Sequence, residues 1–168
     1  MTSDSENASQ AHDFLHTLIT PLIPHDPTGI GIKVMGKEVI LLASARNMGA
    51  LIGKSGSMVE SLRHLMRPFG WRLQVPSQAR DDLHTPPLDD PPDVRTIALG
   101  WLDARYGHEA YRLAGEPDGP AWDVFVHPDH YDHADHSALE TWAYCASRAQ
   151  GTRLKIRLKP GGKIRERA

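Results

Sequence analysis

The sequence predicts an α+β fold in two parts. Three observations carry that reading. Helix-spaced and strand-spaced apolar residues alternate along both halves of the 168-residue chain. A stretch from Pro76 to Asp93, with five prolines and five aspartates, separates the halves. A glycine-rich turn, Gly53-Lys54-Ser55-Gly56, lies between two apolar segments of the first half.

In the first half, Phe14, Leu15, Leu18, Ile19 and Leu22 recur at helical spacing. Ser9 is the expected cap of that helix, and Pro21 and Pro24 end it. Residues 1–8, polar and carrying Asp4 and Glu6, are expected to be disordered. Ile30, Ile32 and Val34 alternate with Gly31, Lys33 and Met35, the pattern of a half-buried strand. After a turn at Gly36-Lys37, Val39 to Ala43 is an unbroken apolar run, as expected of a central strand covered on both sides. A helix from about Arg46 to Ile52 leads to the glycine turn. A second follows from about Ser57 to Pro68. Trp71, Leu73 and Val75 then alternate as a third strand.

Two glycines around Lys54 and Ser55 make a tight turn whose backbone a phosphate can approach, and Lys54 adds positive charge. A P-loop would need four residues between its glycines before Gly-Lys-Ser. Here only Ala50, Leu51 and Ile52 separate Gly49 from Gly53. The remaining reading of the turn is a helix–turn–helix whose glycines serve geometry alone, and the flanking elements decide against it. Their order is helix, strand, strand, helix, GXXG, helix, strand. It resembles the type II KH domain of bacterial proteins, and in particular the small KH proteins of the KhpA type. The resemblance rests on Leu18-Ile19-Thr20-Pro21-Leu22 and on Asn47-Met48-Gly49-Ala50-Leu51-Ile52-Gly53-Lys54-Ser55-Gly56, and it spans residues 9–76. It implies that Gly53, Lys54, Ser55 and Gly56 hold the backbone of about four nucleotides of single-stranded RNA. Ile52 and Val59 would line an apolar groove for bases, with Leu73 either in the groove or in the core. Arg63 and Arg67, at i and i+4, either reach phosphates or form a solvated helix face.

The net charge of −2 is unevenly spread. Residues 1–80 hold eight bases against six acids, residues 81–93 five aspartates and no base, residues 94–150 four arginines against nine acids, and residues 151–168 seven bases against one acid. An RNA binder needs such local basic footprints, not a basic total. Neither a membrane-length apolar run nor a secretion-signal pattern is present, so a cytoplasmic location and no membrane partner are expected. The single cysteine, Cys145, excludes an internal disulfide and falls on the apolar side of a helical pattern, where packing is its expected role.

Pro76 to Asp93 reads as an extended linker, bounding domains at 9–76 and 94–159. The second domain is expected to run helix (from Ile97), strand (His108–Leu113), strand (Trp122–Val126), helix (His136–Gln150), strand (Leu154–Leu158), with Lys155, Arg157 and Lys159 giving the last strand a basic face. That order is either a degenerate KH-like repeat without GXXG or an unrelated small α+β domain. As a repeat it would serve dimerisation or partner binding. His127, His130, His133 and His136 invite a metal reading. Adjacent pairs could chelate, since i and i+3 are neighbours, but four residues at a spacing of three cannot share one helix face, and for want of a complete ligand set no metal or other cofactor is expected. The alternative is a polar helix entrance capped by Asp132 or Asp135. Residues 160–168 form a basic tail, either phosphate-contacting or merely solubilising.

Neither a nucleophile–base pair nor paired carboxylates stand at catalytic spacing, and the expected protein is not an enzyme. It binds single-stranded RNA in RNA regulation, RNA chaperoning or a ribosome-linked process. Its expected partners are RNA, ribosomal RNA or the ribosome, and itself or another KH protein. The alternative is a protein–protein adaptor on a KH scaffold, using the acidic second half; the acidic linker and Trp101, Trp122 and Trp142 point slightly that way, although core packing is the expected job of all three.

Overall fold

The computed structural model describes residues 4–161. Its contacts divide the chain at Pro92/Asp93 into two α+β units, each with its own core.

Unit 1 runs α1 (Asp4–Ile19), β1 (Ile30–Met35), β2 (Glu38–Ala43), α2 (Ala45–Ile52), α3 (Ser57–Met66) and β3 (Arg72–Gln74). Its sheet has the order β1-β2-β3, with β1 and β2 antiparallel and β2 and β3 parallel. Leu15, Leu18 and Ile19 of α1, Leu51 of α2 and Met58, Leu62 and Leu65 of α3 are at most 2 % exposed. They pack with Val39, Leu41 and Leu73, the inward residues of β2 and β3. Each such side chain contributes about 1.5–3 kcal/mol of transfer free energy.

Three expectations for this half are corrected. Helix α1 (Asp4–Ile19) takes in residues of the stretch expected to be disordered, and Ser9 lies within it rather than capping it. The reason is Asn7, whose Nδ2 donates to the Gly36 carbonyl (2.8 Å) while its Oδ1 accepts from Trp71 Nε1 (3.2 Å). Strand β2 is central, but it is fully covered on one side only. Val39, Leu41 and Ala43 are buried, whereas Ile40 and Leu42 are half-buried.

The third correction concerns the linker, whose first part is strapped to unit 1. Arg80 N donates to the Ala43 carbonyl (2.8 Å), and Thr85 N to that of Thr28 (2.9 Å). Thr85 Oγ1 donates to the Ile30 carbonyl (2.5 Å). Leu83 lies over Gly31, whose cross-strand neighbour is Leu42, and so shields part of the outer apolar stripe that β2 leaves open.

Unit 2 runs α4 (Val94–Tyr106), β4 (Tyr111–Ala114), β5 (Ala121–Val126), α5 (His133–Ala149) and β6 (Lys155–Pro160). Its sheet, β4-β5-β6, repeats the order and strand senses of unit 1. One helix joins β5 to β6, where two join β2 to β3. Helix α5 starts three residues before the expected His136, because Asp132 caps it by accepting from Ala134 N (2.9 Å). Among the described residues no helix is long and apolar enough to cross a membrane. Residues 162–168, most of the basic tail, lie outside the described residues.

Candidate nucleic-acid interface

The glycine turn is held from both sides by rigid elements. On its N-terminal side, α2 is locked at its start. Ser44 Oγ accepts from Asn47 N (3.2 Å) and donates to Asp26 Oδ2 (2.8 Å). Asn47, 3 % exposed, donates through Nδ2 to the carbonyls of Asp26 (2.8 Å) and Gly29 (3.0 Å). The strap adds Asp81, whose Oδ1 accepts from Ala45 N (3.0 Å). These contacts satisfy amides that a helix start would otherwise leave unpaired. They fix the direction in which α2 delivers the chain to Gly53.

Helix α2 ends where Gly53 N donates to the Gly49 carbonyl (2.9 Å). Gly53 then has φ 76°, and Gly56 has φ 78°. Between them Lys54 and Ser55 are exposed, and Ser55 is itself left-handed at φ 54°. The turn closes with Gly56 N donating to the Gly53 carbonyl (3.2 Å). A Cβ on Gly53 would sit 2.7 Å from the backbone nitrogen of Met58, so the turn packs directly on the first residues of α3. No side chain caps α3 at Gly56. Ser57 N, the first amide of α3, donates to the Lys54 carbonyl, and the positive dipole end of the helix lies immediately beside an exposed lysine, an arrangement suited to a phosphate.

The other site candidates fall in distinct places. Ile52 is half-buried at the end of α2. Val59 is only 9 % exposed and lies beneath Gly56, and Leu73 is 4 % exposed, so both belong mainly to the core. Arg63 is engaged within unit 1. Its Nη1 lies 2.5 Å from Glu60 Oε2, and its Nε donates to the Leu73 carbonyl (3.2 Å). Arg67 is exposed and begins a short 3-10 turn, Arg67–Phe69, just past α3. The structure therefore brings together Gly53, Lys54, Ser55, Gly56 and Ile52, with Val59 underneath. Arg63 is tied to the β3 side of α3.

Sequence reading missed Asp26, Asn47 and Asp81 as positioning residues. Ser44 just before a helix, with Asn47 three residues on, carries an N-cap signal. Asp26 and Asp81 are far from α2 in sequence and carry none.

The histidine run is a helix entrance. His127 Nδ1 accepts from Asp129 N (3.1 Å). His136 Nδ1 accepts from Leu158 N (2.9 Å), so that nitrogen is already used. Asp135 is fully buried and pairs with Arg105 Nε (3.1 Å) and the Tyr106 hydroxyl. Burial and the Asp135 carboxylate push the Tyr106 hydroxyl pKa up. Burial also raises the Cys145 thiol, partly offset by Arg148, so no reactive thiolate is favoured there. Trp101, Trp122 and Trp142 are at most 1 % exposed and are core residues of unit 2. They offer no surface to a partner.

No family model matches the chain, and no curated protein matches it.

Proposed function

We propose that the chain is a non-enzymatic, cytoplasmic RNA-binding protein of the bacterial kind, whose first unit is a type II KH domain gripping a short single-stranded RNA. The observation that carries this reading is the turn itself. Two positive-φ glycines hold exposed Lys54 and Ser55 at the side-chain-uncapped start of α3. The closely approachable loop backbone, the helix dipole and one ammonium then meet the phosphates of about four nucleotides. The half-buried Ile52 offers an apolar edge to a base. The order α1-β1-β2-α2-turn-α3-β3 and the mixed sheet support the same reading. The matching strand order and senses of unit 2 favour a KH-like repeat without the loop. The processes served would be RNA regulation, RNA chaperoning or a ribosome-linked step, with ribosomal RNA, a second copy or another KH protein as further partners.

Binding of a fluorescent single-stranded RNA to the full chain and to its Lys54→Asp/Ser55→Asp variant tests the proposal. Both side chains are exposed, so the variant should keep the wild-type circular dichroism. It should lose RNA binding, because two carboxylates at the tip repel phosphate. With three or four phosphate contacts at the loop, their contribution to the salt slope is about −2 to −3. Unaltered binding by the folded variant would remove the loop as the RNA site.

A further inference from the structure

We propose that the outer face of the unit 2 sheet, with the cleft at its end, is a second binding surface for single-stranded RNA. The face follows from strand alternation. Trp122, Val124, Val126, Ile156 and Leu158 are buried in the unit 2 core, so the residues between them face the other way. The register lines up Arg112, Phe125 and Lys159 in one row across the three strands. The next row is Ala114, Asp123 and Arg157, and Lys155 stands beside Ala121 beyond it. Cations are held at set places in these rows. The Arg112 guanidinium lies 5.1 Å from the Phe125 ring centroid, and Lys159 Nζ lies 5.9 Å from it. Asp123, the one acid on the three strands, sits 3.4 Å from Arg157 Nε and 3.5 Å from Lys159 Nζ.

Lys155 and Ala121 also line an open cleft of about 510 Å³, together with Tyr144, Arg148 and Arg153. Lys155 and Ala121 thus belong to both the sheet face and the cleft. Tyr144 is 50 % exposed, and the Arg148 guanidinium lies 5.3 Å from its ring centroid.

The distribution of charge singles out this strip. Between residues 93 and 161 the chain has eight lysines and arginines, and six of them are on the strip. The other two serve the fold. Arg95 donates to the Gly119 carbonyl (2.7 Å), and Arg105 pairs with buried Asp135. Cations interleaved with accessible aromatic rings suit a ligand with phosphates and flat bases. An acidic polypeptide would use the cations and leave the rings idle. The choice of RNA over other nucleic acids rests on the proposed function of unit 1. The surface itself does not depend on the loop.

The test uses the full chain and a fluorescent single-stranded RNA long enough to cover both sites. An Arg148→Gln/Arg153→Gln/Lys155→Gln variant should bind more weakly, with a salt slope shallower by about 2. Tyr144→Ala should weaken binding about tenfold with the slope unchanged, since a lost stacking contact releases no ions. Circular dichroism checks that both variants fold. Unchanged affinity and slope in the folded triple variant would overturn the inference. So would a triple variant that keeps RNA but loses polyglutamate, which would assign the strip to an acidic protein. The Lys54→Asp/Ser55→Asp variant, run in parallel, separates the two sites. If it alone loses RNA, the strip fails and the loop stands. If only the triple variant loses RNA, the loop fails and the strip stands.

Discussion

Gly53 and Gly56 share a positive φ, 76° and 78°, but differ in ψ, 177° against 11°, and in their surroundings. A methyl on Gly56 would meet nothing closer than Val59 Cγ1 at 3.9 Å. On Gly53 it would meet the nitrogen and Cβ of Met58 at 2.7 Å, and Met58 is 1 % exposed in a packed core. Gly56→Ala therefore suffers only the left-handed penalty, about 1–2 kcal/mol. Gly53→Ala suffers a different backbone cost, about 1–3 kcal/mol for a φ/ψ pair essentially restricted to glycine, and overpacking, itself about 1–3 kcal/mol. Urea unfolding of the full chain should show Gly53→Ala as the more destabilised by at least about 1 kcal/mol. Equal losses would mean that the turn yields at Met58 and that the close packing of loop on helix is not a constraint. Ser55, a non-glycine residue at φ 54°, already carries this kind of strain. Such strain persists where the surroundings over-determine a conformation, a condition met often at ligand-binding sites.

At the scale of the element, helix α1 docks through Ala11, Leu15, Leu18 and Ile19, but its buried side also includes His16, 4 % exposed. His16 Nε2 is buried without a hydrogen-bond partner among the described residues. Burial holds the pKa of His16 below its ordinary 6.5, His12 lowers it further, and Asp13 partly opposes them. The unfolded chain thus binds a proton more readily than the folded one. Stability from this group is complete above pH 6.5 and is lost as pH falls from there toward the lowered folded value. His16→Leu should lose less stability than the wild type between pH 7.5 and pH 5.5, compared by urea unfolding at each pH. An identical loss would show that α1 does not carry this pH dependence. The apolar spacing that docks α1 was legible, and so were the existence and type of the other helices and strands, because burial imposes the periods of 3.6 and 2. The inclusion of residues 4–8 in α1 was not, since Asn7 is held there by Gly36 and Trp71, distant in sequence. The loop glycines could be read because their conformation is a local property. Their support from Asp26 and Asp81 could not, because it exists only once the chain has folded.

At the scale of the molecule, composition ended the first domain at Pro76 and began the second at Val94, while the contacts carry the first unit on to Pro92 and begin the second at Asp93. Proline and aspartate content describes what a segment cannot bury by itself. It says nothing of an edge that a neighbouring sheet leaves open. β2 leaves Ile40 and Leu42 half-covered, and the segment after β3 supplies Leu83 over Gly31 beside Leu42. It also supplies partners for the carbonyls of Ala43, Thr28 and Ile30 and, through Asp81, for the first amide of α2. A fragment of residues 1–76 lacks all of these. It loses several hydrogen bonds, each worth about 0.5–1.5 kcal/mol net, together with the burial of Leu83. Because Asp81 supports the helix that delivers Gly53, the loss should reach the loop. Residues 1–92 should unfold cooperatively in urea, whereas residues 1–76 should be less stable by about 2–4 kcal/mol and bind RNA more weakly at equal salt. The expected order of affinity for the loop site is 1–92 above 1–76, with Asp81→Ala in the 1–92 fragment between them. Equal stability of the two fragments would return the strap to the status of a linker. Equal stability with unequal RNA affinity would instead place residues 77–92 in direct contact with the RNA.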